Sequence, residues 1–225
     1  MKILITGSEG TIGKVVVDEL EKQGHEVIVI DLHDSHPIDI LNENIDELFI
    51  DVETVIHLAA NPSQFIDKET AHKNVMMAEK VLEATKSSDK IKRIINASSI
   101  NVYPYFEMYK NKETITRDTT LSPNLFWPPG EYARAKIETE HVVENYCKEH
   151  DLACVNLRFG HVAGGDVMTA FETDWEQDVE YKTFLTHVDL RKIINTSLIL
   201  QGMHSYLCIS NKSWLEDESI LFPLN

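Results

Sequence analysis

The 225-residue sequence predicts an α/β protein with a doubly wound parallel sheet, in which helices cover both faces. Two observations carry this. Apolar runs of strand length alternate with amphipathic runs of helix length along most of the chain. The first apolar run also passes directly into a glycine-punctuated turn and then a helix, the opening of a βαβ unit.

The elements follow in order. Residues 2–6 read as a buried strand, 11–23 as a helix with Ile12, Val15, Val16 and Leu20 on one side, and 26–31 as a second strand. A short strand is expected at 37–40, a helix at 42–49 and an apolar strand at 53–58. A long helical pattern at 69–87 leads to a strand at 92–97, then a helix at 130–149 and a strand at 152–158. A helix at 188–201 and a strand at 205–209 close the series. The segment 103–129 is polar and contains Pro104, Pro123, Pro128 and Pro129. It is too long for an ordinary connector and reads as a functional loop, as does 160–182. The length fits one domain, 1–225, with 160–225 forming a small substrate-side lobe.

Lys and Arg number 21 against 37 Asp and Glu, a formal net charge of -16. That balance disfavours nucleic acid and anionic membranes as partners, and no stretch approaches a membrane span. Cys147, Cys154 and Cys208 form no CxxC pair and suit reduced thiols, so the expected compartment is the cytoplasm. His33 and His36 lack a third ligand, and no metal is expected.

Gly7, Gly10 and Gly13 stand between the first strand and the first helix, where missing side chains let the backbone turn tightly and approach a pyrophosphate. The spacing is GxxGxxG rather than GxGxxG, and position gives the motif its meaning. Asp31 ends the second strand, eighteen residues beyond Gly13, where a carboxylate accepts from ribose hydroxyls and repels a 2′-phosphate. The expected cofactor is NAD rather than NADP. Tyr132 and Lys136 stand four apart in a helical stretch, which sets a phenol beside an ammonium that favours its ionised form. Ser98 and Ser99 follow a strand at the carboxyl edge of the sheet, where ligands lodge.

With these residues in view, the chain resembles the extended short-chain dehydrogenase/reductase family, the NAD-dependent epimerase/dehydratase group. The likeness runs from Met1 to about Ser210. It rests on Thr6-Gly-Ser-Glu-Gly-Thr-Ile-Gly13, Asp31, Asp39-Ile40, His57-Leu-Ala-Ala60, Asn74, Ser98-Ser-Ile-Asn-Val-Tyr103, Tyr132-Ala-Arg-Ala-Lys136, Leu157-Arg-Phe-Gly160 and His187-Val-Asp189. The resemblance implies a Rossmann-type fold. It implies Tyr132 as the base, Lys136 on the nicotinamide ribose and Ser99, in preference to Ser98, on the substrate oxygen. Thr11 and Ile12 of the loop, Asp39, Ile40, Leu58, Ala59, Ala60, Asn74 and Phe159 would lie along the cofactor, and Ser63 and Asn101 would reach substrate hydroxyls. Relatives often pair through the helix that carries the Tyr-Lys pair, which implies a homodimer.

Ile100 and Asn101 stand where the family's dehydratases carry Asp-Glu, which disfavours dehydration. The length is similar to that of small uronate and sugar dehydrogenases, and the expected reaction is NAD-dependent oxidation of a hydroxyl on a small sugar, sugar acid or polyol. A uronate specifically is disfavoured, since no arginine lies between Arg158 and Arg191 to hold its carboxylate. A nucleotide-sugar epimerase and a non-catalytic NAD-binding protein stay open as alternatives.

Overall fold

The computed structural model describes residues 1–111, 113–116, 118–123, 130–162, 183–210 and 221–222. Six strands form one parallel sheet: β1 (Lys2–Thr6), β2 (Glu26–Ile30), β3 (Thr54–His57), β4 (Arg93–Ser99), β5 (Ala153–Phe159) and β6 (Met203–Cys208). Their spatial order is β2-β1-β3-β4-β5-β6. The helices are α1 (Thr11–Lys22), α2 (Lys68–Ala84), α3 (Tyr105–Asn111), α4 (Glu131–Glu149) and α5 (His187–Ser197).

Side-chain alternation along the strands makes two cores. Ile3 and Ile5 of β1 point with Ile56, Ile95, Val155 and Leu157 to one face, where Val15, Val16 and Leu20 of α1 and Leu190, Ile193 and Ile194 of α5 cover them. Leu4, Val55, Ile94 and Cys154 point to the other face, against Val81 and Leu82 of α2 and Val143 and Cys147 of α4. Both faces are therefore dry, and β3 and β4 are buried at every residue, as apolar runs in a parallel sheet should be. This is a Rossmann-type doubly wound sheet.

The chain leaves β1 for β2 on one side and returns across β1 to β3 on the other. The connections leaving the carboxyl ends of β1 and β3 therefore run to opposite sides, and the crevice between them is where such sheets take ligands.

Several expectations change. Residues 37–40 are not a strand: Pro37 lacks an amide donor, and the Asp39 carboxylate accepts from Leu41 N and Asn42 Nδ2, which turns the chain. Within 42–49 only Asp46–Phe49 is helical, as a 3₁₀ turn. Inside the proline-rich loop, residues 105–111 form α3, which starts just after Pro104, a residue favoured where helices begin. The last helix ends at Ser197, and the last strand begins at Met203. No helix among the described residues is long and apolar enough to cross a membrane. Most of the expected substrate loop 160–182, together with 124–129 of the other loop, lies outside the described residues.

Candidate active site

One cleft of about 840 Å³ follows the carboxyl edge of the sheet. Under β2 and β1 it is lined by Asp31, Asp39, Ile40 and the glycine loop from Gly7 to Gly13, including Thr11 and Ile12. Beyond β3 come Leu58, Ala59, Ala60 and Asn74. Beyond β4 and β5 come Ser99, Asn101, Tyr132, Lys136 and Phe159. Apart from Ser63, every residue to which the resemblance gives a catalytic, cofactor or substrate role reaches this wall.

The glycines do different work. Gly7 has φ +76, and a Cβ there would lie 2.7 Å from Ala59 N. A Cβ on Gly13 would lie 2.1 Å from the Gly7 carbonyl oxygen. These two let α1 and β3 close on the turn. At Gly10 the nearest neighbour of a Cβ would be the Gly7 oxygen at 3.4 Å, so the protein itself leaves that space open. Gly10 is also the N-cap of α1 with no side-chain cap, which leaves the first-turn amides directed at a ligand. An anionic pyrophosphate fits this cradle.

Asp31 lies just past β2, and its carboxylate accepts from Glu9 N at 3.0 Å and His33 N at 2.8 Å. The carboxylate is thereby fixed at the mouth of the glycine turn. Asn74 spends its amide on Asn61, accepting from the backbone N at 2.8 Å and donating to the backbone O at 3.1 Å. Its contribution is to hold the loop after β3. Below that loop, the buried His57 ring shares a 2.8 Å hydrogen bond with Thr6 Oγ1, which also accepts from Ala59 N. Burial, aided by the Lys136 charge, pushes the His57 pKa down to about 3.

Ser99 ends β4 beside Phe159 of β5. Its hydroxyl caps the 3₁₀ turn Ile100–Val102 by accepting from Asn101 N at 3.2 Å, and it accepts a second bond from Asn101 Nδ2 at 3.2 Å. One turn separates Tyr132 from Lys136 on α4, and the ammonium stands 5.8 Å from the phenol ring centroid. Lys136 is buried and donates to the Ala97 carbonyl at 2.6 Å. Burial brings its pKa down to about 8 against the opposing pull of Glu140.

The lowered tyrosine pKa expected from the spacing is not seen. Burial pushes Tyr132 up to about 12, against a hydrogen bond with Ser99 that works downward.

Ser63 is exposed and does not line the cleft; its hydroxyl accepts from Phe65 N within the same turn. The wall holds Gln64 instead, together with Tyr105, Lys73, His161 and Thr183, none of which the sequence motifs singled out. Tyr105 was within reach, being on the loop expected beside the site. Arg158, the one arginine of the Leu-Arg-Phe-Gly motif, binds Glu140 through two bonds of 2.9 and 2.7 Å and the Tyr103 hydroxyl at 2.6 Å. The pair is structural, with Glu140 buried and Arg158 half-buried, and Arg158 does not line the cleft.

The chain is 28% identical over 185 residues to GDP-mannose 3,5-epimerase 1 of Oryza sativa subsp. indica, a match covering 73% of this chain and 47% of that protein. It thus spans about half the length of the curated relatives it matches. Among solved structures, it superposes on UDP-N-acetylglucosamine 4-epimerase from Bacillus cereus with a TM-score of 0.72 at 23% identity, covering 91% of this chain and 78% of that one. It superposes on a mutated uronate dehydrogenase with a TM-score of 0.71 at 18% identity, covering 96% and 78%. These superpositions speak for the fold. A family model matches residues 3–179, from the first strand through the glycine turn and the Ser99, Tyr132 and Lys136 wall, and the chain belongs to the NAD dependent epimerase/dehydratase family.

Proposed function

We propose that the protein oxidises a hydroxyl of a small sugar, sugar acid or polyol, with NAD as the cofactor. The observation that carries this reading is the shared cleft: an anion-binding glycine turn and Asp31 at one end, and Ser99, Tyr132 and Lys136 at the other. The amides around Gly10 would hold the pyrophosphate and Asp31 the adenosine ribose, with Ile40, Leu58, Ala59 and Ala60 as the apolar lining between. When bound there, NAD supplies the acceptor for the hydride that leaves the substrate carbon.

The chain's own residues handle the proton and the oxygen. Ser99 donates to the substrate oxygen and holds it beside Tyr132. The phenolate takes the hydroxyl proton as the C–H electron pair departs, so the carbon becomes a carbonyl. Lys136 keeps an ammonium close to the ring and lowers the cost of ionising it. Asn74 fixes the loop along which the cofactor lies. Residues 160–225 would supply the substrate side, and two copies would pair across α2 and α4, whose Met76 is 37% exposed.

Epimerisation of a nucleotide-sugar is the second reading, favoured by the epimerase relatives. It shares removal of the proton and hydride, then returns both. Incubating the protein and NAD with a panel of sugars, sugar acids and nucleotide-sugars separates the two. Net NADH on a small substrate supports oxidation, while interconversion of nucleotide-sugars without net NADH replaces that reading with epimerisation.

A further inference from the structure

Asn101 occupies an unusual place beside the Ser99 hydroxyl. A serine hydroxyl has one hydrogen to donate and two lone pairs to accept with. Both acceptor positions on Ser99 are taken by the same neighbour, through Asn101 N and Asn101 Nδ2, each at 3.2 Å. Asn101 and Ser99 are both buried. The Ser99 hydrogen is left with the cleft to point into, and Tyr132 stands on the same wall of that cleft. Asn101 Oδ1, meanwhile, is buried with no hydrogen-bond partner among the described residues. Leaving a buried carbonyl oxygen unpaired is costly, and the amide keeps that arrangement while its NH₂ faces Ser99. The opposite amide orientation would make Ser99 donate to Asn101 and would turn its hydrogen away from the phenol.

We infer that Asn101 is a positioning residue that fixes Ser99 as a hydrogen-bond donor toward Tyr132 and the substrate oxygen. This inference rests on the proposed roles of Ser99 and Tyr132 and deepens them. A donor locked in this direction stabilises the phenolate and the developing substrate alkoxide, and disfavours the neutral phenol. It also gives the residue at 101 a task other than direct contact with substrate hydroxyls.

The test titrates residue 132 without substrate or cofactor. A fluorinated tyrosine at position 132, whose phenol ionises well below that of tyrosine, is followed by ¹⁹F NMR in an otherwise native chain and in variants at 99 and 101. Asn101→Ala should raise the phenol pKa by about one unit, the size of one hydrogen bond to a charged group. Ser99→Ala should raise it similarly, and the double variant should match Ser99→Ala alone. Asn101→Leu, which keeps the size and removes the NH₂ donor without adding a charge, should raise it similarly and serves if the alanine variant fails to fold. An unchanged pKa in either Asn101 variant, or full additivity of Asn101→Ala with Ser99→Ala, overturns the inference. Failure of the oxidation reading appears separately, as absence of NADH on the substrate panel while these titration shifts persist.

Discussion

Lys136 holds its ammonium 5.8 Å from the Tyr132 ring centroid while donating to the Ala97 carbonyl oxygen at 2.6 Å. The cation is placed for the phenol but anchored to the sheet, at a cost. Its pKa falls from 10.5 to about 8 through burial, so the folded state resists protonation of this group. The stability contribution is complete above 10.5 and is lost as pH falls toward 8, a penalty on the order of 3 kcal/mol at neutral pH. Lys136→Met should therefore be more stable than the native protein at neutral pH and should lose activity. Urea unfolding of both proteins across this range should show the difference shrinking as pH rises from 8 to 10.5. A constant difference would show that burial of the ammonium is not its cause.

The glycine turn separates structural from ligand-facing positions. Gly13→Ala forces a Cβ to 2.1 Å from the Gly7 oxygen, and it should lower the melting temperature and weaken binding together. Gly10→Ala meets only a 3.4 Å neighbour and should melt within about 2 °C of the native protein. It should nevertheless bind NAD roughly tenfold more weakly by calorimetry, because the methyl enters the space the pyrophosphate needs. Unchanged affinity in Gly10→Ala would remove the phosphate from that turn.

The carboxylate of Asp31 is fixed by Glu9 N and His33 N and should exclude a 2′-phosphate. Asp31→Asn keeps an acceptor for those amides and removes the charge. The preference for NAD over NADP should fall by about tenfold, measured as the ratio of dissociation constants. A native preference for NADP would contradict the role given to Asp31.

His57 is buried in neutral form, with its pKa lowered from 6.5 to about 3. The unfolded chain gains the proton first on acidification, so the contribution is intact above 6.5 and declines as pH falls toward 3. The integrated loss is about 4 to 5 kcal/mol. His57→Asn should flatten acid unfolding in that window when followed by circular dichroism. An identical acid transition in the variant would place the proton uptake elsewhere.

Much of this site was legible because its residues obey local rules. Gly7, Gly10 and Gly13 announce themselves by standing between an apolar strand and a helix, and Tyr132 and Lys136 by a spacing that any helix converts to adjacency. Asp31 needs only the end of a strand. The residues that escaped depend on tertiary geometry. The turn at 37–40 has the composition of a strand, and the Asp39 side chain overrides it by bonding Leu41 and Asn42. Ser63 and Gln64 are neighbours on one turn, and no periodic pattern tells which of them faces the cleft. The raised pKa of Tyr132 reflects burial by several elements at once, which an adjacent lysine in the sequence does not report. The direction of the Ser99 hydrogen depends on two bonds from Asn101 that follow from the 3₁₀ turn after β4.

The central claim is that Tyr132 removes the substrate proton. The direct measurement is initial-rate NADH formation by the native protein and by Tyr132→Phe on a substrate found in the panel, after both are shown to bind NAD equally. The account predicts a loss of at least about 10²-fold in kcat, with cofactor affinity unchanged. A Tyr132→Phe variant that turns over at a rate close to native would contradict it.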